Sequence, residues 1–120
     1  MADGTDLAAY LEAGLKAAAL RRTTIAANLA NLNTPGYRRA EVSFESRLAE
    51  ALSAGGRIDP AAVAATVLCP HRTPVNAKGN DVSLEMEIGE MVRNDVRYET
   101  YTRVLAKLYR QMERAMDTGR

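Results

Sequence analysis

Ala27-Asn28-Leu29-Ala30-Asn31-Leu32-Asn33-Thr34-Pro35-Gly36-Tyr37-Arg38-Arg39 decides how this chain folds. It ends one long periodic segment and dictates the turn that follows. Thr34 precedes a proline, and the steric clash pushes it out of helical space, so a helix must stop at or before Asn33. Pro35 presets the backbone for the second position of a β-turn, and Gly36 supplies the positive φ that a type II turn needs next. Asn33 suits a left-handed cap. Asn28 and Asn31 stand three apart, where their amides can bond the last carbonyls of the helix or a neighbouring chain.

Upstream of this stop, Leu11, Leu15, Ala18, Arg22, Ile25, Leu29 and Leu32 step by four and three, interrupted only by Arg22. That spacing predicts a helix from Leu7 to Leu32, roughly 39 Å long, with a heptad seam. Asp3, Thr5 and Asp6 offer caps and negative charge at its start. Gly14 lies inside it, at a cost of about 1 kcal/mol relative to alanine. Close approach of another helix and weak tertiary demand both account for it.

Downstream, Ser43 to Leu52 reads as a short amphipathic helix with Phe44, Leu48 and Leu52 on one side, ended by Gly55 and Gly56. Phe44, the sole phenylalanine, is the expected anchor against the long helices. Arg57 to Lys78 contains Pro60, Pro70 and Pro74 and keeps no helical period; within it, 64–69 suits a short extended strip. After Gly79-Asn80, Asp81 or Ser83 can cap a second long helix. Leu84, Ile88, Met91, Asp95, Tyr98, Thr102, Leu105, Tyr109, Met112 and Met116 again step by four and three. That helix runs roughly 50 Å, with acidic residues early and basic residues late, as the helix dipole favours.

The fold class that follows is all-α. Long N- and C-terminal helices pair as an antiparallel coiled coil around an irregular middle, in one domain of three parts: 1–33, 34–80 and 81–120. Aligning Leu32 with the start of the second helix brings Arg22 beside Asp95, a charge pair suited to fixing register. Alanine supplies much of the 47% hydrophobic content, only 5% is aromatic, and there is no tryptophan. Narrow helix seams therefore fit better than a large core.

Composition also excludes functions. A net charge of +1 argues against a dedicated nucleic-acid binder. The basic stripe Arg103, Lys107, Arg110 and Arg114 is bordered by Glu99 and Glu113 and reads as a solvated or assembly-facing surface. Cys69 and His71 lack the second pair that a metal site needs. No catalytic order of serine, histidine and acid and no phosphate-binding loop is present, so neither an enzyme nor a cofactor is expected. No apolar run is long enough to cross a bilayer. Met1 to Leu11 lacks the pattern of a cleaved signal peptide.

The residues Ala27, Asn28, Asn31, Thr34, Pro35, Gly36, Tyr37 and Arg38 resemble the N-terminal signature of the bacterial flagellar axial family, the rod and hook proteins. Gly79-Asn80-Asp81-Val82 and Asn94-Asp95-Val96-Arg97-Tyr98 are similar to the C-terminal pattern of its small proximal-rod class. Leu32-Asn33 departs mildly from the small-then-acidic pair common there. The resemblance implies a structural subunit of the proximal rod of the flagellar basal body. Its two helices would pair and pack into a helical tube that transmits torque. It further implies other copies of itself, other flagellar rod proteins, the FliE adaptor and the membrane-ring base as partners. Export would run through the flagellar type III apparatus, to a rod spanning the periplasm. Two apolar seams on a chain with little core of its own predict head-to-tail association, the geometry of helical filaments. A small coiled-coil adaptor or export chaperone shares the heptads but gives no reason for the Asn28, Asn31 and Thr-Pro-Gly-Tyr combination.

Overall fold

A computed structural model of the chain describes residues 4–55, 59 and 63–118. Asp3, Gly56, Arg57 and Pro60, and the Thr5 side chain, lie outside the described residues. The element order is α1 (Gly4–Ala30), β1 (Glu41–Ser43), α2 (Glu45–Ser53), β2 (Thr66–Leu68) and α3 (Leu84–Thr118). The fold is mostly helical, with α1 and α3 packed antiparallel and an irregular middle laid against them. The molecule is drawn out to 67 × 27 × 16 Å.

The end of α1 tightens into successive short bonds, from Leu32 N to Leu29 O and from Thr34 N to Asn31 O. No left-handed residue is needed to close it. His71, at φ 55°, is the one non-glycine residue with positive φ among those described, so Asn33 is not the cap expected. At the other junction Ser83 caps α3, its hydroxyl accepting from Met86 N at 3.3 Å. Asp81 is employed elsewhere.

The extended strip foreseen near residues 64–69 finds a partner that periodicity did not indicate. β2 pairs antiparallel with β1, Val42 opposite Val67. Phe44 follows β1 and precedes α2 with φ −148°, so it is off the helical rung it was assigned to. It remains the anchor: buried with Ala17 and Val63, against Ala13, Leu48, Ala51 and Ala65. Leu52, expected beside it, is exposed, and Ala51 takes the inward place.

The principal correction concerns the seam. On α1 the buried line is Tyr10, Gly14, Ala17, Arg21, Thr24 and Asn28, with Ala18 and Ile25 beside it. On α3 the buried positions are Glu87, Asn94 and Leu105. Of the predicted seam, Ile25 and Leu105 are buried, while Leu11, Leu15, Leu29 and Met112 are half-buried. Leu84, Ile88, Met91 and Tyr109 are exposed. Thus the helices meet along a stripe one position off the apolar one, and much of that inner stripe is polar. Small residues allow close approach: a Cβ on Gly14 would lie 2.7 Å from the Tyr101 ring. That selects the first of the two explanations for Gly14.

Candidate functional site

The two turns that flank the helices meet back to back. In the first, Tyr37 N donates to Thr34 O at 3.2 Å and Gly36 has φ +76°, completing the type II turn expected from Thr34-Pro35-Gly36-Tyr37. In the second, Gly79 N donates to Asn76 O at 3.0 Å. Gly36 N then donates to Lys78 O at 2.8 Å and joins the two. Asn80 completes the junction. Its buried amide donates to Asn31 O and Thr34 O, both at 2.9 Å, while its oxygen accepts from Val82 N at 2.7 Å. Two carbonyls of the turn just past α1 are thereby bonded by the segment that precedes α3. Asn31 works locally, donating to Ala27 O at 2.8 Å and accepting from the Thr34 hydroxyl at 3.0 Å.

Asn28 is the centre of a second tie. It is 0% exposed, as is Glu87. Its nitrogen donates to Ala40 O at 2.8 Å and to Glu87 Oε2 at 3.1 Å. Its oxygen accepts from the Tyr37 hydroxyl and from Ala40 N, each at 3.0 Å. All of the amide's capacity is used. Glu87 Oε1 accepts from Arg39 Nε at 2.7 Å, and Arg39 also reaches Glu41 at 3.0 Å. Asp81 anchors the same segment from below, accepting from Arg39 N at 2.5 Å and from Arg38 Nε at 3.1 Å. Burial alone would raise the Asp81 pKa, but these donors hold it below the usual carboxylate range.

One heptad further along, Arg21 and Asn94 repeat the arrangement. Arg21 donates to Asn94 Oδ1 at 3.3 Å, to Val42 O at 3.3 Å and to Glu45 Oε2 at 2.7 Å. Asn94 donates in turn to Ala18 O at 2.9 Å. The Tyr101 hydroxyl donates to Glu45 Oε1 at 3.0 Å, and burial beside that carboxylate pushes the tyrosine pKa up to about 12. Glu45 itself is lowered: desolvation opposes its charge, but Arg21 and Tyr101 outweigh it. The expected Arg22–Asp95 pair forms at 3.2 Å, with both side chains more than half exposed (69% and 55%). An exposed pair contributes little; the buried neighbours Arg21 and Asn94 fix the register instead.

So residues 37–45 form a strap across both helices, bonded to α1 through Asn28 and Arg21 and to α3 through Glu87 and Tyr101. Among described residues no buried side-chain nitrogen or oxygen lacks a partner. Signature residues Asn28, Asn31, Thr34, Pro35, Gly36, Tyr37, Arg38, Gly79, Asn80 and Val82 all gather at this end. Asn94 sits one heptad away, and Arg97 approaches Glu45 at 4.0 Å. Tyr98 does not join them; it is exposed on α3. Sequence reasoning gave no such role to Arg21, Glu45, Glu87 or Tyr101. The available signal was a charged or amide residue recurring at heptad spacing beside the apolar seam.

Comparison with known proteins agrees with this geometry. Residues 11–38, from α1 through the first turn, match the family described as flagella basal body rod protein. The chain is 27% identical over 111 residues to the flagellar basal body rod protein FlgB of Borreliella burgdorferi, covering 78% of this chain and 82% of that protein. To the FlgB proteins of Salmonella typhimurium and Escherichia coli it is 27% and 25% identical over 128 residues, covering 92% of each chain. The matched stretch 11–38 includes Asn28, Asn31 and the first turn, which close the strap over the helix pair, and these likenesses support a structural subunit of the flagellar basal body rod.

Proposed function

We propose that this rod subunit is of the proximal class, building the wall of a helical tube and passing torque along it. Residues 1–33 and 81–120 would form the wall, and 34–80 the segment that leaves it. The strap and paired turns would give the helix pair a single rigid register, as a torque-bearing element requires. The observation that carries this reading is the outward apolar side of α3, where Leu84, Ile88, Val92 and Val96 face solvent in the isolated chain. Contiguous exposed apolar surface of this kind marks an interaction site. Expected neighbours are other copies, other rod proteins, the FliE adaptor and the membrane-ring base, reached through the flagellar export apparatus across the periplasm.

The test is fractionation of cells carrying an epitope-tagged copy, paired with deletion of the gene. The expected result is pelleting with basal bodies, crosslinks to the FliE adaptor, and loss of motility with no rod on the membrane ring. A chain that stays in the soluble fraction of motile cells overturns the reading.

A further inference from the structure

The outer sides of α1 and α3 are built differently and match one another. On α3, Leu84, Ile88, Val92 and Val96 stand four apart and make a raised row of bulky side chains, the last two 58% and 59% exposed. On α1, Ala19, Thr23, Ala26 and Ala30 alternate four and three and are all exposed, making a low, flat stripe. At 100° per residue the α1 stripe lies opposite its helix's inward seam, and the α3 row winds from about 60° off its own seam at Leu84 to opposite it at Val96. They occupy the same level of the molecule, because Asn28 meets Glu87 and Arg21 meets Asn94. Their lengths agree, at roughly 18 Å for the row and roughly 17 Å for the stripe. Beyond the apolar part the charges also correspond. In a neighbour held side by side at the same level, Glu99 would face Lys16 and Arg103 would face Glu12. All four are exposed in the single chain, where Arg103 pairs with Glu99 and Tyr109 with Glu12.

We propose that the α3 row of one copy docks on the α1 stripe of the next copy, in the same orientation, with Glu99–Lys16 and Arg103–Glu12 contacts closing the end of the interface. Rows fitting into low grooves are how helices pack. Because the two surfaces differ, the contact is heterologous, and each added copy exposes a fresh row and a fresh stripe. This rests on the rod reading only for its biological setting; the association itself is a property of the purified chain.

The experiment is sedimentation of the purified full chain and two variants, alone and mixed. Wild type should associate progressively as concentration rises. Val92→Glu (row impaired, stripe intact) and Ala26→Glu (stripe impaired, row intact) should each be folded by circular dichroism and monomeric. Mixed, they should form a heterodimer that grows no further. Self-association of Ala26→Glu alone, with no heterodimer on mixing, would indicate row-on-row pairing and overturn the proposal. A wild-type chain still monomeric at about 1 mM, or a Val92→Glu chain associating as wild type does, would overturn it too and leave the row to another protein. Should Val92→Glu misfold, Glu99→Lys provides the second arm: association should weaken several-fold and recover when mixed with Lys16→Glu. Failure of these mixtures while the tagged chain still pellets with basal bodies would reject this interface and leave the rod reading standing.

Discussion

The inward and outward sides of α3 invert the usual order of a helix. Inward it presents Glu87 and Asn94 and the Tyr101 hydroxyl, each bonded to the strap or to α1. Outward it presents Leu84, Ile88, Val92 and Val96 to water. Apolar burial is non-directional and tolerates sliding, whereas a hydrogen-bonded network is satisfied in one arrangement. The comparison teaches that polar groups here fix how α1, the strap and α3 align, while an apolar row of α3 is left facing solvent.

Substitution can break that comparison, and the largest effect should come from inside. Glu87→Ala leaves the Arg39 guanidinium buried with only Glu41 remaining; a loss of about 3–5 kcal/mol is expected in denaturant unfolding. Asn28→Ala strips partners from Glu87, Tyr37 and Ala40 together and should cost about 2–3 kcal/mol. Acid reaches the ties collectively. The folded-state pKa values of Glu45 and Asp81 are depressed, so the stability they contribute is full above the ordinary carboxylate range near 4 and is lost as pH falls through the folded values. Thermal melts should therefore drop steeply below about pH 4, and Asp81→Asn should shallow the slope. Gly14→Ala gains about 1 kcal/mol of helix propensity but forces the Tyr101 ring away, for a net loss of about 1–2 kcal/mol. The Tyr101→Leu background should erase that loss, as a double-mutant cycle would reveal. The smallest effect belongs to the outside: Val92→Lys should leave monomer stability within about 0.5 kcal/mol. A larger cost there than at Asn28 would undo the inversion.

How far the sequence was legible follows the same division. Period and punctuation gave both long helices, the stop before Thr34, the turn at Pro35-Gly36 and the level at which Arg22 meets Asp95. All are local consequences of residue type, or of heptad counting. The inner stripe was not legible, because assigning apolar positions inward assumes that a helix has one partner. Here Arg21, Asn28, Glu87 and Asn94 win the inward places through bonds supplied by residues 37–45, distant in sequence from α3. The β1–β2 ribbon escaped notice for a related reason. Three-residue strands carry almost no periodic signal, and Val42 and Val67 are joined by pairing across an irregular segment. Asn33 illustrates the reverse error: a residue able to cap stands where short backbone bonds at the helix end make a left-handed cap unnecessary.

The polar inner stripe has a calorimetric consequence. Exposure of apolar surface raises heat capacity on unfolding, whereas exposure of polar surface lowers it. Melting the lone chain opens an interior in which, among the described residues, buried polar side chains nearly match apolar ones in number, so its heat-capacity increment should fall below the usual ~12–15 cal/mol/K per residue, giving a broad, flat stability curve. The missing increment should reappear when subunits join, as a strongly negative heat-capacity change that titration calorimetry would record.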